Sequence, residues 1–298
     1  MSDVTAYLAP EGFERELEEE LGDVVERYGR LMLAPGPARA VAWAQNVWLE
    51  PVRAPIASIK DAARTLRSVQ RNWALYAHDL HRRAALIDAE LPVVKRRAIE
   101  PFSELPTAPL GSWTLLDRDT ILYAARCSSP FPHGEVRFVE DKEGPPSRAY
   151  LKLWELFTLT RSWPKPGERC VDLGSAPGGW TWVLASLGAR VLSIDKAPLD
   201  PRVARLPNVE HRRQSAFALD PRSVEPFDWL FCDVICYPPR LLSLVERWMA
   251  AGAAKRFVCT IKFQHETDHE TARRFAAIEG SRLVHLSHNR HELTWYRF

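Results

Sequence analysis

Cys170-Val171-Asp172-Leu173-Gly174-Ser175-Ala176-Pro177-Gly178-Gly179-Trp180 decides the fold of this 298-residue chain. An apolar run ends at an acid, Asp172, and passes through a glycine turn into a segment of helical character at 179–187. A strand entering a helix through such a turn opens an α/β sheet whose ligands bind beyond the carboxyl ends of the strands. Gly174, Gly178 and Gly179 allow backbone to approach a ligand without an intervening Cβ. The pattern is D-x-G-x-x-P-G-G, not G-x-G-x-x-G, and Pro177 removes a donor that a pyrophosphate would use. The ligand need not be a dinucleotide. Asp195, ending the next strand, is placed to accept hydrogen bonds from a ribose diol.

Working outward, strands are expected at 169–173, 190–194, 209–212, 229–233, 256–262, 282–287 and 293–297. Helices are expected at 179–187, 240–251 and 268–279, with another from Ser147, as its cap, to about 159. This alternation predicts a mostly parallel sheet covered on both faces, its last two strands antiparallel because no helix separates them. The linker-like stretches Ser128-Ser129-Pro130-Phe131-Pro132-His133-Gly134 and 141–146 put a domain boundary near 140. The expected architecture is an α/β domain at 141–298 preceded by a smaller α+β domain at 1–140, with a ferredoxin-like start at 1–52.

In the first half, strands are expected at 4–8, 31–33 and 41–48, helices at 12–21, 59–69 and 78–89, and a hairpin at 113–116 and 120–126. The net charge of +2 hides a polarity. Glu14, Glu16, Glu18, Glu19, Glu20 and Asp23 crowd one segment, whereas Arg64, Arg67, Arg71, Arg82, Arg83, Lys95, Arg96 and Arg97 make the next one basic. That segment reads either as a solvated helix face or as a surface facing phosphates. Apolar residues make up 46% of the chain, which argues against disorder, and no run of about 18 apolar residues is present to span a membrane. Met1-Ser2-Asp3 lacks the basic start of a signal peptide. Cys127, Cys170, Cys232, Cys236 and Cys259 are odd in number and read as reduced thiols of a cytoplasmic protein.

Four distant stretches each carry one charged residue: Lys152 in Ser147-Arg148-Ala149-Tyr150-Leu151-Lys152-Leu153, Asp233 in Phe231-Cys232-Asp233, Lys262 in Thr260-Ile261-Lys262-Phe263, and Glu292 in Asn289-Arg290-His291-Glu292. Each alone is an ordinary surface or edge charge. Two lysines converging on one centre are a means of making one of them a base. A lysine acts so near pH 7 only if its value, normally about 10.4, falls by roughly three units, about 4 kcal/mol of differential interaction. Two carboxylates can orient the pair, although their charge opposes that shift.

Asp172–Trp180 resembles the D-L-G-x-x-P-G-G-W turn of the FtsJ family of RNA ribose 2′-O-methyltransferases, within the class I S-adenosylmethionine-dependent methyltransferases. The resemblance runs from about residue 147 to the C-terminus. It implies S-adenosyl-L-methionine as cofactor, held by Asp172, Gly174, Ser175, Pro177, Gly178, Gly179, Trp180, Asp195 and Asp233, with Ser215 and Phe217 toward the adenine. Where the family often has an acid after the third strand, this chain has Gln214-Ser215-Ala216-Phe217. The family's Lys-Asp-Lys-Glu tetrad falls on Lys152, Asp233, Lys262 and Glu292, with Lys262 the implied base and Lys152 its charged neighbour. Ala9-Pro10-Glu11-Gly12-Phe13-Glu14-Arg15-Glu16-Leu17 resembles the start of RNA-modification enzymes bearing a THUMP module, including bacterial large-subunit rRNA (cytidine-2′-O) methyltransferases. Together these imply RNA, most of all 23S rRNA, as substrate, gripped by the basic segment and Arg148, with no membrane and no obligatory protein partner.

Three other patterns compete. His265-Glu266-Thr267-Asp268-His269 matches H-E-x-x-H, but that motif needs a helix throughout, and here it follows a strand with Asp268 at a cap position. Cys232 and Cys236 lack two further ligands for a metal, so none is expected. Tyr237-Pro238-Pro239 resembles the Asn/Asp-Pro-Pro-Tyr motif of base-amine methyltransferases without its polar residue next to the prolines. Other classes to weigh are a nicotinamide-dependent oxidoreductase, disfavoured by Pro177, a catalytically silent RNA-binding paralogue, and an O-methyltransferase of a non-RNA substrate.

Overall fold

The computed structural model describes residues 4–298, so the reading of Met1-Ser2-Asp3 lies outside the described residues. Two compact units are present, Met1–Ile99 with Glu104–Arg137 and Glu100–Ser103 with Phe138–Phe298. Among the described residues no helix is long and apolar enough to cross a membrane.

The first unit is α+β, with β1 (Val4–Leu8), α1 (Glu14–Leu21), β2 (Glu26–Tyr28), β3 (Leu31–Pro35), β4 (Asn46–Leu49), β5 (Val52–Pro55), α2 (Ile59–Val69), β6 (Trp73–Leu75), α3 (His81–Asp88), β7 (Gly111–Leu115), β8 (Thr120–Ala124) and β9 (Arg126–Cys127). One sheet has the order β2-β3-β1-β4-β9 and the other β5-β8-β7-β6. Helix α2 starts where Ser58 accepts the Asp61 N–H, and its buried Ala62, Ala63 and Leu66 pack with Ile87, Trp113 and Ile121.

The strand expected at 41–48 begins only at Asn46. Glu20 accepts the backbone N–H groups of Ala42 and Trp43, which are therefore satisfied by a side chain and not by a ladder. The helix expected from 78 begins at His81, since Leu80 takes a left-handed conformation with φ 49°. The short strands β2, β5 and β6 are too brief to show an alternating pattern.

The second unit contains α4 (Tyr150–Thr160), β10 (Arg169–Leu173), α5 (Gly179–Ser186), β11 (Arg190–Asp195), α6 (Pro201–Ala204), β12 (Val209–Arg213), β13 (Phe227–Cys232), α7 (Pro238–Ala250), β14 (Ala254–Lys262), α8 (His269–Ala276), β15 (Ser281–Val284) and β16 (Glu292–Arg297). Its seven strands run in the order β12-β11-β10-β13-β14-β16-β15. Those up to β14 pair in parallel, whereas β16 pairs antiparallel with both β14 and β15. This is a Rossmann-like, mostly parallel α/β architecture.

The chain leaves β10 toward one edge, returns to β13 on the other side, and so reverses strand order between them. Such a switch point opens a crevice at the carboxyl ends of both strands. Aromatic side chains fill the layer beneath: Trp229, Phe231 and Phe157 are fully buried, with Trp229 and Phe231 stacked at 5.8 Å. Ser147 does not cap α4. Ala149 holds that position, and the Ser147 hydroxyl lies instead against Gly179.

Candidate active site

At the switch point lies a cavity of about 350 Å³, lined by Asp172, Gly174, Ser175, Pro177, Gly179, Trp180, Asp195, Asp233 and Lys262 among the expected residues. Ser147, Ala149, Ala176, Val234 and Ile235 complete the wall and were not anticipated. Only the stretch 147–153 carried a signal for the first two, as the flank of Lys152. Gly178, Ser215 and Phe217 do not line it. The Ser215 hydroxyl accepts the Phe217 N–H at 3.3 Å, and the Phe217 ring is covered by the Arg240 guanidinium at 3.9 Å.

The glycines answer first to the protein's own packing. A Cβ on Gly174 would come 2.8 Å from Val234 Cα, one on Gly178 3.1 Å from Val203, and one on Gly179 2.6 Å from Ser147 Oγ. Gly174 and Gly178 also sit at φ +77° and +113°, a region L side chains avoid. The turn is therefore wedged between α6 and the segment after β13, and Asp195 clamps it. Its two carboxylate oxygens accept the Ala176 N–H at 3.0 Å and the Ala197 N–H at 2.9 Å.

Asp172 is fully buried at the end of β10. Thr181 Oγ1 donates to its Oδ2 at 2.6 Å, while Oδ1 has no partner. Burial pushes its carboxyl up to about 7, against the Thr181 hydrogen bond and with help from Asp233 and Asp195. A buried carboxylate oxygen without a donor is costly unless a ligand supplies one. Three carboxylates (Asp172, Asp195 and Asp233) line the cavity against the single amine of Lys262. Such a wall suits a ligand that brings positive charge and opposes a pyrophosphate.

The four charged residues meet beside this cavity. Lys152, on the inward face of α4, donates from Nζ to Asp233 Oδ1 at 2.9 Å, Asp233 Oδ2 at 3.1 Å and Glu292 Oε1 at 3.0 Å. The antiparallel register of β14 and β16 sets Glu292 directly opposite Lys262. Lys262 Nζ donates to the Asp233 carbonyl oxygen at 2.6 Å and lies 3.1 Å from Asp233 Oδ1. The Trp180 ring supports Lys152, its centroid 5.7 Å from Nζ, and its indole N–H is held by the Ala149 carbonyl at 3.0 Å.

Burial pulls the Lys152 amine down, but the adjacent Asp233 and Glu292 outweigh it and hold Lys152 above its ordinary value. Burial likewise raises Asp233, and Lys152 and Lys262 reverse that and keep it below the usual carboxylate range. The two amines are therefore not equivalent. Lys152 spends three N–H donors on three carboxylate oxygens and has no lone pair to offer. Lys262 meets only two oxygens, and one of them is a backbone carbonyl, so its amine is less fully committed to carboxylates.

Of the other expected contacts, Arg64, Arg67, Arg71, Arg82, Lys95, Arg96 and Arg97 are exposed and Arg83 is half-buried. Arg64 pairs with Asp61 at 3.3 Å, and Arg67 donates to the Glu90 carbonyl at 3.1 Å. Arg96 lies 2.7 Å from His133 Nε2, and burial, with Arg96 and Arg30 nearby, pushes His133 down to about 4. Arg148 is exposed and bonded to both oxygens of Glu140, at 2.5 and 3.0 Å. The H-E-x-x-H stretch is not one helix: Asp268 caps α8 by accepting the Thr271 N–H at 2.9 Å, leaving His265 in the preceding loop.

Residues 145–284 match the family described as FtsJ-like methyltransferase. Among curated proteins the chain is similar to the "Ribosomal RNA large subunit methyltransferase M" of Halorhodospira halophila, at 40% identity over 161 residues, 51% of this chain and 46% of that protein. The protein of the same name from Aromatoleum aromaticum is 37% identical over 166 residues, 50% of this chain and 45% of that one. The one from Methylococcus capsulatus is 34% identical over 233 residues, 70% and 65% of the two chains. The chain spans about half the length of the first two relatives.

Proposed function

We propose that this chain, whose residues 145–284 match the FtsJ-like methyltransferase family, methylates the 2′-hydroxyl of a ribose in RNA, with large-subunit rRNA as substrate and S-adenosylmethionine as methyl donor. The observation that carries this reading is the meeting of Lys152, Asp233, Lys262 and Glu292 at the edge of a carboxylate-lined cavity. Asp172, with its unpartnered Oδ1, Asp195 and the turn from Gly174 to Trp180 would hold the cofactor, whose positive charge matches that wall. When bound, the cofactor supplies a methyl group activated by its sulfonium.

Lys262 takes the 2′-hydroxyl proton onto Nζ as the ribose oxygen becomes nucleophilic. Lys152 remains the cation of the pair, keeps Asp233 ionised and, through Glu292, fixes the strand end opposite Lys262. Asp233 orients Lys262 through its carbonyl and one carboxylate oxygen. General-base assistance of this kind contributes about 10²–10⁴ in rate, and fixed placement of the reacting groups adds more. The exposed arginines and lysines of the first unit support the RNA half of the reading, since phosphate contacts are its main source of affinity.

The test is methyl transfer to rRNA from cells lacking this gene, with ribose methylation mapped by nucleotide. Lys262→Ala should lose about 10²–10⁴ in turnover while calorimetry shows S-adenosylmethionine bound nearly as well as by the wild type. Loss of cofactor binding in that variant would contradict the role given to Lys262.

A further inference from the structure

The segment between β13 and α7 carries two large apolar side chains into solvent beside the reaction centre. Ile235 is 74% exposed and Tyr237 60% exposed, although both follow Asp233 within four residues. Between them Cys236 is buried, and Pro238 after them is buried as well. That alternation is the period of an extended chain, and Tyr237 is extended at φ −66°, ψ 141°. Residues two apart in an extended segment share a side. Val234 and Ile235 line the cavity with Asp233 and Lys262; Tyr237, two residues beyond Ile235, is exposed like it but stands outside the cavity wall.

This pair has no task in the proton transfer. Its exposure beside a charged centre is nonetheless what a nucleotide substrate needs. A ribose whose 2′-hydroxyl reaches Lys262 brings its base with it, and a base drawn out of its stack requires an apolar or aromatic face to lie on. We propose that Ile235 and Tyr237 form a stacking platform for the base of the nucleotide being methylated, the ligand class being an unpaired nucleotide within RNA. This rests on the methyl-transfer reading above. Stacking is tolerant of base identity because every base has a π-face, so the platform would set how firmly the target nucleotide is held, and base choice would come from other contacts.

The experiment uses the full chain, S-adenosylmethionine and rRNA from cells lacking the gene. Tyr237→Ala should raise KM for that RNA roughly tenfold, the size of one lost base–aromatic stack, with the dissociation constant for S-adenosylmethionine unchanged. Tyr237→Phe, which keeps the ring, should retain the wild-type KM, and Ile235→Ala should raise it by a smaller factor. Unchanged KM and kcat for Tyr237→Ala, alongside an active wild type, would overturn the platform and leave the methyl-transfer reading standing. A wild type that binds S-adenosylmethionine but methylates no ribose in that RNA would overturn both.

Discussion

Lys152 ties two largely buried carboxylates, Asp233 and Glu292, to one amine. Its side chain is 8% exposed, and those of Asp233 and Glu292 are 15% and 11% exposed. Removing one member of a buried ion pair leaves the others uncompensated, at a cost of about 3–5 kcal/mol. Lys152→Ala should therefore lower the denaturation midpoint markedly, whereas Lys262→Ala, which removes one ion pair to Asp233 but leaves the Lys152 bonds in place, should lower it less. Chemical denaturation of the two variants side by side compares what each amine contributes to stability.

Asp172 offers the clearest pH dependence. Its folded value of about 7 lies above its ordinary value of 3.8 because burial disfavours the charge. Below 3.8 the carboxyl is protonated in both states and there is no penalty; as pH rises, the unfolded chain ionises first. The loss grows through that window and is complete above about 7, where it amounts to about 4 kcal/mol. Asp172→Asn should thus stabilise the ligand-free protein at pH 8, the gain vanishing toward pH 4. Thermal melts of both proteins across that range check the sign. The same variant should bind S-adenosylmethionine more weakly, since the unpartnered oxygen is gone.

Among elements, α4 carries more of the site than Lys152. Glu155, one turn further along, is buried and accepts the Ser287 N–H at 2.8 Å, the Ser287 hydroxyl at 2.9 Å and the His288 N–H at 3.1 Å. It thereby pins the loop between β15 and β16, from which Glu292 enters the sheet. A single helix thus fixes both the Lys152 amine and the backbone leading to its partner. Glu155→Gln loses the charge that strengthens these bonds and should cost about 1–3 kcal/mol. If the loop positions Glu292, kcat should fall as well, a change that melting and steady-state kinetics on one preparation would reveal together. The reach of Glu155 across 132 residues had no sequence signal, because a buried acid inside a helix pattern looks like any solvated one.

For the molecule as a whole, charge distribution is the relevant quantity. The net charge is only +2, yet α2, α3 and the segment from 93 to 97 present most of the basic residues singled out in the first unit. Lys95, Arg96, Arg97 and Arg137 also border a cavity of about 300 Å³ with Val93, Val94 and Pro109. RNA affinity should fall steeply with salt. Arg64→Glu, Arg67→Glu and Arg71→Glu should each weaken binding for all sequences and flatten the slope of log affinity against log salt by about one per lost phosphate contact. Filter binding at several salt concentrations measures that slope.

Most of the strand–helix alternation after residue 147, the antiparallel end of the sheet and the glycine turn were readable along the chain. They rest on local periodicity, turn chemistry and backbone freedom, which neighbours in sequence determine between themselves. The meeting of four charged side chains was suggested only by a family pattern, since residues up to 140 apart carry no mutual signal until a sheet brings them together. Tertiary structure alone decided which lysine is saturated with carboxylate oxygens and which meets one carboxylate oxygen and a backbone carbonyl. It also revealed that the glycines make room for Val234, Val203 and Ser147, and that Asp172 is left with an unpartnered oxygen. Those outcomes depend on burial and on distances of about 3 Å between distant segments, quantities that exist only once the chain is packed.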